Sequence, residues 1–357
     1  MSRCDDRATD APAYVGRRLM TLFGVGACLL TAALWVTERW PGAPADNARF
    51  QEPDGARTPV GSDLRPLPTQ VGVDPDRQAL GARLFTEPAL FAQADRTCRS
   101  CHHPDAGGAD RAPIPAGLKH PLLAVNAPTV FNSAFNHRFG WTAGDAGLAQ
   151  HLADVRRDLL PGQPPDVTAG LADHRADFAR LYPDGLTADN VADALEHYVR
   201  GLVTPNSRFD RHLLGETGVL TPGETMGLRL FRAFGCVECH QGVNLGGNML
   251  SRFDGPHASP PRTEDGNAPR LGRFHRTGKG EDRQVYRVPS LRNVSATAPY
   301  FHDGSAATLA DAVRAMIQRQ VGRRVEEEDV RMVAEFLATL AASPSGSEWA
   351  RPAAEGR

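Results

Sequence analysis

The sequence predicts an all-α protein built as two tandem domains with long loops. Three observations carry this. Apolar residues recur at helical spacing in six separate segments, while runs of alternating β-branched residues are nearly absent. A Cys-x-x-Cys-His motif occurs in each half of the chain, each time behind a predicted helix. The 357 residues are 41% hydrophobic, enough for two cores, yet they include 35 Gly and 28 Pro and only 7% aromatics. Turns are therefore abundant, and something besides aromatic side chains fills the interior.

Charge narrows the function classes. Lys+Arg 40 against Asp+Glu 42 gives a net charge of −2, without the basic excess that a phosphate backbone demands, so nucleic acid is not an expected partner. Lys119 and Lys279 are the only lysines, so nearly every cation is a guanidinium able to grip carboxylates with two donors.

Taken in order, the chain opens with an export-signal layout: Arg17 and Arg18, an uncharged apolar run over 19–36, then Glu38, Arg39 and the small-residue stretch Ala43-Pro44-Ala45. The run is also just long enough to cross a bilayer, so residues 1–45 read either as a signal peptide or as a membrane anchor. Both readings deliver the remainder to the periplasm. Residues 46–70 are proline-rich, polar and aperiodic, the composition of a flexible linker. Asp74-Pro75 then reads as a cap and first-turn proline for a helix over 76–86. Further helices are expected at 145–159, 187–203, 221–234, 307–319 and 326–341, the fourth of the six opening with the capping box Thr221-Pro222-Gly223-Glu224. The stretches 103–140 and 241–300 are too long for idle connections in a compact helical domain and are expected to wrap around something. Residues 343–357 are expected to be a disordered tail.

Of six cysteines, Cys4 and Cys28 lie in or before the export segment; the other four form Cys98-Arg99-Ser100-Cys101-His102 and Cys236-Val237-Glu238-Cys239-His240. At this spacing two thiols reach the two vinyl groups of one haem, and the following histidine, His102 or His240, reaches the iron. A zinc ribbon would bring its two pairs within ~15–20 residues, and zinc gives no reason for a histidine after each pair. A redox dithiol wants a βαβ setting that is missing. The sequence thus predicts two c-type cytochrome domains, 71–205 and 206–342, each around one covalent haem c. The two porphyrins supply the apolar filler that the aromatics do not.

Over 80–340 the chain resembles the bacterial di-haem cytochrome c peroxidases and the related MauG-type enzymes. The strings that carry the likeness are LGARLF at 80–85, NAPTVFNSAFN at 126–136, GLVTPNSRFD at 201–210, CHQGVNLGG at 239–247 and VPSLRNVSATAPYFHDGS at 288–305. The resemblance implies that the C-terminal haem receives electrons, with Met316 as its second axial ligand, and that Trp141 bridges the two haems. It also implies an interdomain Ca²⁺ held by Asn126, Thr297 and Pro299, oxygen ligands of the kind calcium prefers.

The match loosens around the N-terminal haem. Where the family carries a histidine that caps this iron, the sequence has Leu118, with His120 two residues on. Where the family carries its acid/base pair, it has Pro161 and His151, with Asp158 the nearest acid. His151 and Asp158 are the candidate acid/base residues. The leading expectation is a peroxidase that reduces hydrogen peroxide with electrons from a small cytochrome c or cupredoxin. A MauG-type enzyme that oxidises Trp or Tyr on a partner protein, and a di-haem electron carrier without peroxide chemistry, are the alternatives. A homodimer is left open.

Overall fold

The computed structural model describes residues 63–91, 96–115, 125–144, 147–159, 167–253, 271–324 and 326–342. The expected export segment, the linker up to residue 62, the tail, and positions Leu118, His120 and Pro161 lie outside the described residues. Among the described residues the α-helices of six residues or more are α1 (Pro75–Phe85), α2 (Leu148–Leu159), α3 (Arg175–Leu181), α4 (Ala188–Gly201), α5 (Arg208–Leu213), α6 (Pro222–Ala233), α7 (Leu309–Ala315) and α8 (Glu327–Ala338). No helix among the described residues is long and apolar enough to cross a membrane.

The sequence signals act as expected at the helix starts. The Asp74 carboxylate accepts the N–H groups of Asp76 and Arg77, at 3.0 and 3.1 Å, ahead of Pro75 in the first turn of α1. At α6, Thr221 Oγ1 accepts the Glu224 N–H while Glu224 accepts the Thr221 N–H at 2.8 Å, a complete capping box. Helices α3 and α5 escape the periodicity argument because one or two turns contain too few apolar repeats to register.

Two apolar cores result. One gathers Leu80, Leu84, Phe85, Phe178, Leu195 and Val199 where α1 crosses α4; the other gathers Phe209, Phe231, Val313, Val333 and Phe336 where α6 crosses α8. Both crossings are built alike. A Cβ on Gly81 would lie 2.0 Å from the Ala194 carbonyl oxygen, and one on Gly227 would lie 1.9 Å from that of Met332. Only glycine admits such a close backbone approach.

A second duplication appears in the loops. Pro128-Thr129-Val130-Phe131-Asn132 and Pro289-Ser290-Leu291-Arg292-Asn293 both end on an asparagine with positive φ (61° and 59°), and each is followed by a 3₁₀ turn, Ser133–Phe135 or Val294–Ala296. The fold thus repeats a helix crossing, a thiol motif and an asparagine turn.

Two findings refine the expectations. A two-stranded antiparallel ribbon, β1 (Leu250–Arg252) against β2 (Val285–Arg287), pairs Ser251 with Tyr286; strands of three residues leave no alternation to read. The end of the expected linker is not free: Leu64 and Leu67 are buried, and Leu67 donates its N–H to Asp210. Arg292, ion-paired to Asp210 at 2.7 Å in full burial, also donates to the Arg65 carbonyl. Prolines suit the extended path of this segment, and its Leu64 joins the second core.

Candidate functional site

Each motif is wound into a single turn that brings its histidine back over its first cysteine. The His102 N–H donates to the Cys98 carbonyl at 3.0 Å and the His240 N–H to the Cys236 carbonyl at 2.9 Å. Gly235, with φ 76°, lets the chain leave α6 directly into the second motif. The four cysteines form no disulfide. Burial pushes the Cys98 thiol up to about 12 and the Cys236 thiol up to about 11, with Cys101 and Cys239 raised in the same way. They are protonated thiols facing apolar surroundings, not exposed reactive thiolates.

The two histidine rings are fixed by the same device. His102 Nδ1 donates to the Gly108 carbonyl and His240 Nδ1 to the Leu245 carbonyl, each at 3.1 Å. The carbonyls of Pro128 and Pro289, the first residues of the duplicated turns, also face the respective rings. Burial lowers both imidazole pKa values, so each ring is neutral, with its proton on Nδ1 and its Nε2 lone pair free. That is the tautomer an iron ligand requires.

His240 opens on a cavity of about 480 Å³, a size that suits a bound cofactor. Its walls are largely apolar and include Phe231, Val288, Leu291, Val313, Ile317 and Leu337, together with Cys236, Cys239 and Met316. Met316 begins a π-helical turn, Met316–Gln320, at the end of α7. Such turns interrupt the α-helical register and recur at functional sites.

Trp141 lies on the same cavity wall as Asn126, Thr297 and Pro299. Its indole N–H donates to the Asn126 carbonyl at 2.8 Å, and its ring meets His302 edge-on at a centroid distance of 6.3 Å. Asn126 is buried and donates its side-chain amide to the Ala112 carbonyl; among the described residues no donor reaches its Oδ1. His151 sits on α2, stacked on Phe139 at 5.7 Å and against Gly140. Burial first, then the positive charges of Arg287 and Arg276, push its pKa down to about 4. The charge of His102 adds a smaller contribution in the same direction.

Comparison with known proteins decides the assignment. Residues 75–218 match the family model described as di-haem cytochrome c peroxidase. The chain is 33% identical over 283 residues to a cytochrome c551 peroxidase of Nitrosomonas europaea, covering 78% of this chain and 83% of that one. This chain belongs to the di-haem cytochrome c peroxidase family. It is also 33% identical over 285 residues to the cytochrome c peroxidase Ccp of Escherichia coli, of which it spans 60%. Among solved structures, a MauG-like protein associated with microbial copper homeostasis is similar in fold, with TM-score 0.63 and 24% identity over 82% of this chain and 96% of that one.

A di-haem cytochrome c peroxidase needs two haems, and the donor set suits them: two free, half-buried thiol pairs, two neutral imidazoles with Nε2 unencumbered among the described residues, and, beside the second pair, an apolar cavity. The unpartnered Asn126 Oδ1 suits a calcium ion in the same sense. The side chain of Asp158, in the last turn of α2, lies outside the described residues, as does His120. Sequence reasoning missed three residues on the cavity wall. Tyr286 and His302 are stacked at 4.3 Å, with the Tyr286 hydroxyl 3.2 Å from His302 Nε2. Arg287 is a buried cation in a strand too short to predict. His302 stands inside the FHDG string, so its presence was legible though its packing was not.

Proposed function

We propose that the chain is a periplasmic di-haem c-type peroxidase that reduces hydrogen peroxide to water, two electrons and two protons per peroxide, with electrons from a small cytochrome c or cupredoxin. The observation that carries this is the pair of Cys-x-x-Cys-His turns whose histidines are both held through Nδ1 by a backbone carbonyl, in a member of a peroxidase family. The two cytochrome domains are 71–205 and 206–342. Cys98 and Cys101 would bind one haem c and Cys236 and Cys239 the other, with His102 and His240 as proximal ligands and Met316 as the second ligand of the C-terminal iron. Asn126 Oδ1, with the carbonyls of Thr297 and Pro299, would hold Ca²⁺.

Bound haem supplies one-electron redox chemistry and an iron at which the peroxide O–O bond breaks. The chain's own residues supply the rest. The Met316 thioether favours reduced iron and suits the haem that receives electrons. Trp141, on the cavity wall beside the C-terminal site and tied to Asn126, carries electrons onward. His151, neutral because it is buried between Phe139 and the guanidinium charges, takes a proton from the near peroxide oxygen on a ring nitrogen and returns it to the far one, so that water leaves.

The test is steady-state oxidation of a reduced small cytochrome by peroxide. Turnover well above that of a His151→Ala variant and of free haem is expected; turnover equal to either overturns the reading. A MauG-type oxidation of a partner protein draws on the cluster Trp141, His302 and Tyr286, which offers oxidisable rings in contact. A peroxide-oxidised state that is not promptly quenched by reduced cytochrome would favour it.

A further inference from the structure

Arg287 is 5% exposed, and among the described residues its side chain makes one hydrogen bond, from Nε to the Gly140 carbonyl at 3.0 Å. Among the described residues no carboxylate pairs with it, and burial lowers its pKa. An isolated charge taken out of water costs several kcal/mol and is tolerated in native proteins when an anion meets it. Among the described residues the terminal nitrogens of Arg287 have no hydrogen-bond partner, and the side chain lines the cavity that holds Cys236, Cys239, His240 and Met316. Arg252, the other arginine on that wall, already donates to the Glu281 carbonyl.

We infer that Arg287 is an anion site for a haem propionate: its two terminal nitrogens take the carboxylate of the C-terminal haem while its Nε and backbone N–H hold the Gly140–Trp141 turn. This rests on the reading that the second motif carries a haem. The guanidinium matches a carboxylate with two parallel donors. Two further contacts give the placement a consequence. The Arg287 N–H donates to the Trp141 carbonyl at 2.8 Å, and Gly140, whose carbonyl Arg287 holds, abuts His151. One residue therefore anchors the C-terminal cofactor and, through its Nε and its backbone N–H, holds the Gly140–Trp141 turn. Arg287 is a positioning residue. The positive charge of the guanidinium would also favour the reduced iron, because reduction adds one electron to the site and a nearby cation offsets that added charge.

The test is spectroelectrochemical titration of both haems in the purified holoprotein, with covalent haem counted by pyridine haemochrome. Wild type is expected to show a C-terminal midpoint that is flat from pH 6 to 8, since an ion-paired propionate does not titrate there. In Arg287→Gln the C-terminal midpoint falls by at least the equivalent of about tenfold in the reduced-to-oxidised ratio, ~59 mV for one electron, and acquires a pH dependence. Arg287→Lys keeps most of the wild-type potential. Arg276→Gln, an exposed arginine that does not line the cavity, leaves it in place. A wild-type midpoint that moves with pH, an equal drop in the lysine variant, or a shift confined to the N-terminal haem overturns the inference while both haems are present. A chain without covalent haem overturns the haem reading itself, and the haemochrome count tells the two failures apart.

Discussion

Asn132 and Asn293 donate their side-chain amides to one hydroxyl, Thr204 Oγ1, each at 2.8 Å. The two asparagines occupy matching positions in the duplicated turns, and all three residues are essentially inaccessible to water. Asn132 Oδ1 accepts the Thr204 N–H in return, and Asn293 Oδ1 accepts the Ala342 N–H. One hydroxyl between α4 and α5 thus ties both copies of the repeat together. The two proline carbonyls that face His102 and His240 stand at the start of those same turns, so the hub sets the spacing of the two histidine sites.

Thr204→Val keeps the shape of the side chain and removes the acceptor. Two buried amide donors are left unsatisfied, at about 1–3 kcal/mol each. Denaturant unfolding of the holoprotein is expected to show a loss of roughly 2–5 kcal/mol with an unchanged m-value, whereas Thr204→Ser, which keeps the hydroxyl, loses under half as much. Equal losses in the two variants would show that the methyl group, not the hydrogen bonds, matters.

Gly227→Ala places a methyl group 1.9 Å from the Met332 carbonyl oxygen, and Gly81→Ala places one 2.0 Å from that of Ala194. Neither neighbour is a flexible side-chain end, so the helices must separate. Each variant is expected to lose at least about 1–3 kcal/mol, the usual cost of overpacking, although alanine is intrinsically the better helix residue. Thermal unfolding checks it; Gly223→Ala, in the first turn of α6 with the Glu335 carboxylate as its nearest neighbour, is the control and should change little.

Helices α1, α2, α4, α6, α7 with the π-helical turn that extends it, and α8 were legible because each spans enough turns for the apolar stripe to repeat, and α1 and α6 carry caps that name their first residue. The thiol motifs were legible because two Cys-x-x-Cys-His strings stand out by residue type and spacing alone. Arg287, Tyr286 and His302 were not, because their meaning comes from long-range packing. Arg287 in the sequence is one guanidinium among many; only its burial without a carboxylate makes it informative. Gly81 and Gly227 likewise read as weak points in helices until Ala194 and Met332 arrive against them.

Trp141→Phe removes the N–H that the Asn126 carbonyl accepts and the ring that meets His302. The lost hydrogen bond should cost about 1 kcal/mol of stability. If the indole carries electrons between the lobes, kcat with reduced cytochrome falls by more than tenfold while KM for peroxide stays within about twofold, since the site that binds peroxide is untouched. Stopped-flow reduction of the N-terminal haem by the half-reduced protein separates the two effects. A kcat within twofold of wild type removes Trp141 from the electron path.

His151 gives the pH dependence its sign. An ordinary imidazole takes its proton near pH 6.5, whereas burial, then Arg287 and Arg276, hold His151 down to about 4. Above that value the ring is neutral and can accept a proton; below it the base is lost. Peroxide turnover is therefore expected to stay level from pH 7 down to about 5 and to fall as the pH drops through about 4, not through 6.5. Stability follows the same direction. Between pH 6.5 and 4 the unfolded chain binds a proton at this residue and the folded chain does not, so His151 erodes stability as the solution is acidified and contributes no pH dependence above 6.5. His151→Gln should abolish most turnover and remove this part of the stability slope together. Arg276→Gln takes away one of the charges that disfavour the imidazolium, so it should move the acid limb of kcat/KM upward, toward 6.5, with little change on the neutral plateau. A limb that stays where it was in Arg276→Gln, or that persists in the residual activity of His151→Gln, would assign the proton transfer to another group.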